Sequence, residues 1–378
     1  MKSSSVLKGV VLAMMTLVFL FQGCKGPEGP QGPPGETTVL NLEGFAADIK
    51  CGKCHTADQD TTYFVAGRAY EWSQSKHAVG GDLERNGSGC AGCHTTEGFV
   101  QRMNAGSFSA VTNQFHPSPP GCFACHSPHA RGDFSLRIKT PVVIKSNITG
   151  VSDATFDYGK GNLCVQCHQT RDMSPKMNAS APGDSIAITT SRWYSHYGVQ
   201  GQMLMGEGGF KFPGYTYTGN SYHTTSTTVK QEGCPTCHMA EMSYPPNTGT
   251  GKGGGHTMNI KFEGEGGTAG SVLAGCLQSG CHASITSPDY KGVQTAVKAN
   301  LDTLYGLLVA KGWIDNNPTS ANYGLVNLVN GRRVIKPAVK AGALYNYFFV
   351  EHDLSEGVHN TKYAIELLRS SIAELRKP

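Results

Sequence analysis

Six pairs of cysteines stand along the chain, and a histidine directly follows the second cysteine of every pair. Five pairs are separated by two residues and the last by four. Two thiols on one short loop, followed at once by an imidazole, are residue types that bind a metal or attach a cofactor. The pairs are Cys51/Cys54, Cys90/Cys93, Cys122/Cys125, Cys164/Cys167, Cys234/Cys237 and Cys276/Cys281, and the histidines are His55, His94, His126, His168, His238 and His282.

The C-x-x-C-H pattern is the attachment signature of haem c. The cysteines form thioether bonds to the porphyrin vinyl groups, and the next residue reaches the iron from the same side. A spacer of four residues can still reach both vinyl groups. Disulfides suit an exported chain but do not require a histidine after each pair. Structural zinc needs four ligands rather than a repeated triplet, and a thioredoxin-like motif occurs once. The sequence therefore predicts six covalently bound haem c groups.

Each haem iron has a second axial position, which a protein ligand can fill or leave open. Eight histidines lie outside the six motifs, which is enough to give every iron two histidines. His116 lies among three prolines and His352 among charged residues, so we expect neither to be a ligand. Methionine ligation, for instance by Met239 or Met258, is an alternative, but the histidines suffice. The eight are His77, His116, His129, His196, His223, His256, His352 and His359.

Several short motifs resemble the multihaem cytochrome superfamily, which includes pentahaem nitrite reductase, hydroxylamine oxidoreductase and surface cytochromes of metal-reducing bacteria. These motifs are Trp72-x-x-Ser75-x-His77, Gly121-Cys122-x-x-Cys125-His126-x-Pro128-His129, His196-x-x-x-Gln200-x-x-Met203-Leu204-x-Gly206, Gly254-Gly255-His256-Thr257 and Gly357-Val358-His359-Asn360. The resemblance covers most of the chain after Cys51 and implies close-packed haem pairs. It also implies one distal ligand per haem, drawn from His77, His129, His196, His223, His256 and His359.

The chain departs from the enzymes of that superfamily. Pentahaem nitrite reductase carries a lysine-ligated catalytic haem, whereas every motif here ends in histidine. Hydroxylamine oxidoreductase has more haems, one of them cross-linked to a tyrosine whose equivalent we cannot place. The resemblance thus supports the architecture, whereas these departures make the enzymes a poorer functional match and favour an electron carrier over a catalyst.

The N-terminus has the features of an export signal. Lys2 and Lys8 precede an apolar run over residues 10–21, which is too short for a membrane span. Gly23-Cys24 then resembles a bacterial lipoprotein cleavage site, with Cys24 as the lipidated residue. Ordinary signal cleavage is the alternative. We predict a signal peptide over 1–23 and an anchor and spacer over 24–40. The collagen-like Gly/Pro run in that spacer suits an extended polyproline II segment or, alternatively, a trimerising stalk.

The remaining chain is expected to be mainly α with extensive coil and little β structure. Glycine accounts for 48 of 378 residues, so loops are abundant and haem is expected to fill much of the interior. We predict short helices at the attachment motifs within a haem-binding body over 41–290. C-terminal helices over 291–378 are expected to pack on that body. Apolar periodicity predicts one helix from Val293 and another after an Asn360 N-cap, with a third over 338–350 between them.

These features predict electron transfer through a chain of bis-histidine haems at the cell envelope. The expected partners are other cytochromes or a porin–cytochrome conduit, with extracellular metals or minerals as acceptors. A lipid anchor would hold the protein to the outer membrane, on the cell surface, although a periplasmic location is an alternative. A reductase of nitrite, hydroxylamine or sulfur oxyanions with one open haem, and a filament-forming cytochrome, are alternative functions. The formal charge of +4 and the absence of charge runs give no indication of nucleic-acid binding.

Overall fold

The structure is a computed structural model that describes residues 56–378 apart from 57, 81, 132–133, 243–250, 265–266 and 279. Helices and irregular loops dominate this part of the chain, as predicted. The helices are α1 (Val65–Ser73), α2 (Lys76–Val79), α3 (Ser88–His94), α4 (Thr96–Ala105), α5 (Cys122–Cys125), α6 (Pro128–Arg131), α7 (Gly161–Val165), α8 (Gln200–Met205), α9 (Tyr222–Thr225), α10 (Thr227–Glu232), α11 (Pro235–His238), α12 (Val293–Ala310), α13 (Ala341–Glu351) and α14 (Thr361–Arg376).

Eight short strands form four separate two-stranded ladders within the described ranges. The strands are β1 (Val142–Ile144), β2 (Ile148–Thr149), β3 (Ala154–Phe156), β4 (Met177–Asn178), β5 (Ile186–Ile188), β6 (Lys261–Glu263), β7 (Ala269–Ser271) and β8 (Arg333–Ile335). Pairing is β1–β3, β5–β8 and β6–β7 antiparallel and β2–β4 parallel. The β5–β8 ladder joins residues almost 150 positions apart, with Ile186 opposite Ile335.

The long C-terminal helices form where the apolar spacing predicts them. In α12, Val297, Leu304 and Leu308 are completely buried, and Gly312 follows its end with φ at 67°. The Asn360 side chain accepts a hydrogen bond from the Tyr363 backbone N–H and so caps α14 as predicted. The segment predicted as one helix over 338–350 is divided into a 3₁₀ turn, Ala338–Lys340, and α13.

The main hydrophobic core joins these three helices to the segment that precedes α9. It contains Trp193, Met203, Phe210 and Phe212 beside the inner faces of α12, α13 and α14. The Asn346 side chain bonds the Phe210 backbone in both directions and anchors this segment on α13. This region therefore has a large core made of polypeptide side chains. The clusters beside the motifs are far smaller, for example Phe99, Ala124 and Leu163.

Across the described ranges, no helix combines the length and the hydrophobicity that a membrane crossing requires. The predicted signal peptide, Cys24 and the Gly/Pro spacer lie outside the described residues, as do Cys51, Cys54 and His55.

Candidate haem sites

Four of the five described motifs sit on or beside short helices, as predicted. Cys90, Cys93 and His94 lie on α3, and the other three motifs overlap α5, α7 and α11. A helical turn places the sulfurs at positions i and i+3 on one face. The expectation fails for Cys276/Cys281, which lies in irregular turns.

One backbone hydrogen bond is nevertheless common to the short and the long motifs. The backbone N–H of His126, His168 and His238 donates to the carbonyl of the first cysteine of its own motif at 2.8–3.0 Å. His282 makes the equivalent bond to the Cys276 carbonyl at 3.0 Å. The longer motif therefore keeps the closing hydrogen bond of the short ones.

Five motif histidines each face one of the eight other histidines. The distances between ring centroids fall between 6.1 and 6.3 Å in all five pairs. The paired residues are His94 with His196, His126 with His256, His168 with His77, His238 with His359 and His282 with His223. The partners are five of the six residues for which a distal role was expected.

This spacing fits one metal ion between each pair. An imidazole–metal bond is about 2 Å long, and a ring nitrogen lies about 1.1 Å from its ring centre, so two opposed ligands place the centroids about 6.2 Å apart. Within the described ranges no three His, Cys, Asp or Glu side chains converge as a metal site. The ten described motif cysteines are free thiols. Two facing imidazoles and the two free thiols of a motif are the residue types that would hold a haem c.

The outward ring nitrogens hold several of these histidines in place. Nδ1 of His126, His223 and His238 contacts a backbone carbonyl oxygen at 2.5, 2.7 and 3.0 Å. Nδ1 of His168 lies 3.2 Å from Gln200 Oε1, and Nδ1 of His359 lies 2.7 Å from Asp353 Oδ1. Each of these acceptors requires the hydrogen on Nδ1, which leaves the Nε2 lone pair free for a metal.

Burial keeps most of these imidazoles neutral. Burial, together with neighbouring histidines, lowers the pKa of His77 and His238 to about 4. At His359 burial acts in the same direction, but the charge and hydrogen bond of Asp353 raise the pKa above its ordinary value. Neutral rings with an unprotonated nitrogen can bind iron without first losing a proton.

Attachment segments that are distant in sequence lie against one another. Cys167 Sγ is 3.9 Å from the Cys93 carbonyl oxygen. The thiols of Cys164 and Cys234 are in contact, and this contact with burial raises the pKa of Cys164 well above its ordinary range. A Cβ on Gly161 would come 3.3 Å from Cys234 Sγ, so the glycine permits this approach. The motif at Cys164/Cys167 thus adjoins those at Cys90/Cys93 and Cys234/Cys237.

Arg102 lies between two of these segments. Its guanidinium is buried, donates to the Gln166 carbonyl at 2.8 Å, and stacks over the Phe108 ring at 3.7 Å. It also lies 3.5 Å from Cys93 Sγ. No carboxylate forms a salt bridge with it within the described part of the chain. A buried cation of this kind suits a negatively charged group bound nearby, such as a haem propionate.

The two histidines expected not to be ligands face none of the five described motif histidines. His116 is exposed. His352 is buried, with Nε2 3.1 Å from Glu351 Oε2, and it packs on the rings of Tyr194 and Tyr197 at 4.6 and 4.3 Å. The supporting residues, including Asp353 and Arg102, had no signal in the motif pattern because they act only through tertiary contacts.

Sequence comparisons relate the chain to known cytochromes. The C-type polyheme cytochrome OmcB of Geobacter sulfurreducens is 22% identical over 373 residues, covering 83% of this chain and 46% of the relative. OmcC of the same species is 23% identical over 381 residues, covering 89% and 44%. The chain therefore spans less than half the length of these relatives. No protein-family model matches it.

A solved structure, the outer cell wall cytochrome OcwA, aligns with a TM-score of 0.46 and 21% identity, covering 82% of this chain and 50% of that one. Together with the repeated attachment motifs, the sequence relatives identify the chain as a multihaem c-type cytochrome. Its sequence similarity within that class is to the Geobacter polyheme cytochromes.

Proposed function

We propose that the chain is a hexahaem electron-transfer protein that works at the cell envelope. The observation that carries this proposal is the set of five histidine pairs, each with centroids 6.1–6.3 Å apart. When bound, haem c supplies an iron that takes up and releases one electron. Two imidazoles on each iron leave no coordination position for a substrate, which favours electron transfer over catalysis.

The sixth haem belongs to the motif of Cys51, Cys54 and His55, which lies outside the described residues. The five pairs above supply distal histidines for the other five motifs. We assign His129 as the distal ligand of the haem held by Cys51 and Cys54. His126 lies three residues before His129 and faces His256, so one short segment would supply ligands to two haems.

The contacts between attachment segments suggest a route for electrons from haem to haem. The motif at Cys164/Cys167 adjoins those at Cys90/Cys93 and Cys234/Cys237. Cys276 and Cys281 in turn lie close enough to Cys237 to affect the pKa of the Cys237 thiol. Burial and these two thiols raise the pKa of Cys237 to about 11. Cys125 is affected in the same way by Cys164. We infer that the haem of Cys164/Cys167 is a branch point that exchanges electrons with three others.

The export signal and the lipoprotein-like Cys24 support a position on the outer membrane, facing the cell surface. There the protein would take electrons from periplasmic carriers or a porin–cytochrome conduit and pass them to metals, minerals or partner cytochromes. The similarity to OmcB and OmcC supports a cytochrome role.

The test is made on protein matured by a cytochrome c assembly system. A pyridine haemochrome assay with intact-mass spectrometry should give six haems and a lipidated Cys24. EPR of the oxidised protein should contain only low-spin ferric signals, and the reduced protein should transfer electrons to soluble ferric chelates. Colourless protein would end the proposal. A stoichiometric high-spin haem with turnover of nitrite or hydroxylamine would replace it with a reductase.

A further inference from the structure

A buried carboxylate supports one of the histidine pairs. Asp353 follows α13 in the loop that leads to α14, and only 2% of its surface is exposed. Its Oδ1 lies 2.7 Å from Nδ1 of His359, which faces His238 at a centroid distance of 6.2 Å. The Ser355 hydroxyl donates to the other carboxylate oxygen and accepts the His359 backbone N–H. The carboxylate is therefore fixed on both oxygens.

The other paired histidines have weaker partners on their outward nitrogens. Backbone carbonyls or an amide serve His126, His168, His223 and His238, and all of these acceptors are neutral. Two further acids stand beyond hydrogen-bond distance: Asp82 is 3.9 Å from Nδ1 of His94, and Glu71 is 3.6 Å from Nδ1 of His256. Among the described pairs, Asp353 is the carboxylate in direct contact with a ligand ring.

We propose that Asp353 is a positioning residue that lowers the reduction potential of the haem held by Cys234, Cys237, His238 and His359. An ionised acceptor draws the Nδ1 hydrogen of His359 toward itself and makes Nε2 a stronger donor. A stronger donor favours ferric over ferrous iron. The proton stays on Nδ1 throughout, so reduction adds one electron and breaks no bond. This inference rests on the proposed function, because it presumes iron between the two rings.

The burial of this site should strengthen the effect of Asp353 on the reduction potential. The site is buried, so the carboxylate charge is poorly screened by water. The adjacent pair, His77 and His168, has a methionine sulfur and an amide as outward partners. The proposal thus predicts a step in potential between two neighbouring haems.

The experiment compares the full-length holoprotein with the variants Asp353→Asn and Asp82→Asn by spectroelectrochemical titration and EPR. A variant that lacks Cys234 and Cys237 identifies which midpoint belongs to the haem in question. With Asp353→Asn, that midpoint should move to a more positive potential, and one low-spin EPR signal should change its g-values. The other midpoints should stay near their native values. Asp82→Asn makes the same chemical change at 3.9 Å from a ligand ring and should leave the assigned midpoint in place.

A second variant keeps the proposal testable if Asp353→Asn disturbs ligation. Ser355→Ala removes a hydroxyl that donates to Asp353, which makes the carboxylate a stronger acceptor for His359. The same midpoint should then move to a more negative potential. Unchanged midpoints in both variants, with six low-spin haems retained, would overturn the role of Asp353. A native protein without six low-spin haems would instead overturn the proposed function, so the two failures are distinguishable.

Discussion

The sulfur of Met258 lies 3.1 Å from Nδ1 of His77. The backbone carbonyl of the same methionine accepts the Nδ1 hydrogen of His238 at 3.0 Å. One residue therefore supports ligand rings that belong to two different pairs. It holds a left-handed backbone conformation, with φ at 59°, which lets its side chain and its carbonyl serve different neighbours.

Replacing Met258 with leucine should remove one of these two contacts and keep the other. The variant removes the sulfur and keeps the carbonyl, so the haem of His77 and His168 should become more easily reduced. A weak hydrogen bond is worth about 1 kcal/mol, which corresponds to about 40 mV for one electron. The haem of His238 should keep its midpoint. Equal shifts of the midpoint potential at both haems, measured by redox titration, would contradict separate roles for the sulfur and the carbonyl.

Replacing His359 with alanine should open one coordination position. Oxidised protein should then show one high-spin ferric haem by EPR, while the other haems stay low-spin. The matched control is His116→Ala, which removes an exposed histidine and should leave the spectrum native. A high-spin signal from the control, or none from His359→Ala, would count against the pairing.

The assignment of His129 can be tested with a double replacement. His129→Ala should generate one high-spin haem. When Cys51 and Cys54 are also replaced by serine, that haem is no longer attached, and the high-spin signal should disappear with it. If His129 instead served another haem, the signal would persist in protein that has lost one haem by the pyridine haemochrome assay.

Arg102→Met should lower both the stability of the fold and the reduction potentials of the nearby haems. The variant leaves the buried Gln166 carbonyl without its donor and removes the stacking on Phe108, at a cost of about 2–3 kcal/mol. The midpoints of the haems at Cys90/Cys93 and Cys164/Cys167 should fall, because a nearby positive charge is lost. Arg369→Met, on the exposed side of α14, is the control and should change neither thermal unfolding nor the midpoints.

Asn360→Ala should loosen the start of α14. The fully buried side chain accepts from the Tyr363 N–H and donates to the Gly219 carbonyl at 2.7 Å, so its loss should cost about 2–3 kcal/mol. Thermal unfolding followed by circular dichroism measures this change. Asn104→Ala, at an exposed position of α4, is the matched control and should unfold at the native temperature. An equal decrease in unfolding temperature in both variants would refute the role of Asn360 as a cap.

The sequence predicted the parts of this fold that depend on local pattern. The cap at Asn360 and the buried face of α12 follow from helical periodicity, and the attachment motifs follow from thioether chemistry. It could not pair His77 with His168 or His223 with His282, because those contacts join segments far apart in the chain. The role of Asp353 could not be predicted either, because it depends on a loop that brings its carboxylate to the ring of His359, six residues later.

His359 stands between two helices of the large hydrophobic core, yet it faces a histidine whose cysteines precede it by more than 120 residues. Under the proposed pairing, folding of the apolar C-terminal region delivers the second ligand to a haem attached much earlier in the polypeptide. A product that ended before this position could still acquire the covalent pigment but would carry iron with an empty sixth position. Under the proposed pairing, that redox centre is complete only after the helices on either side of His359 have folded.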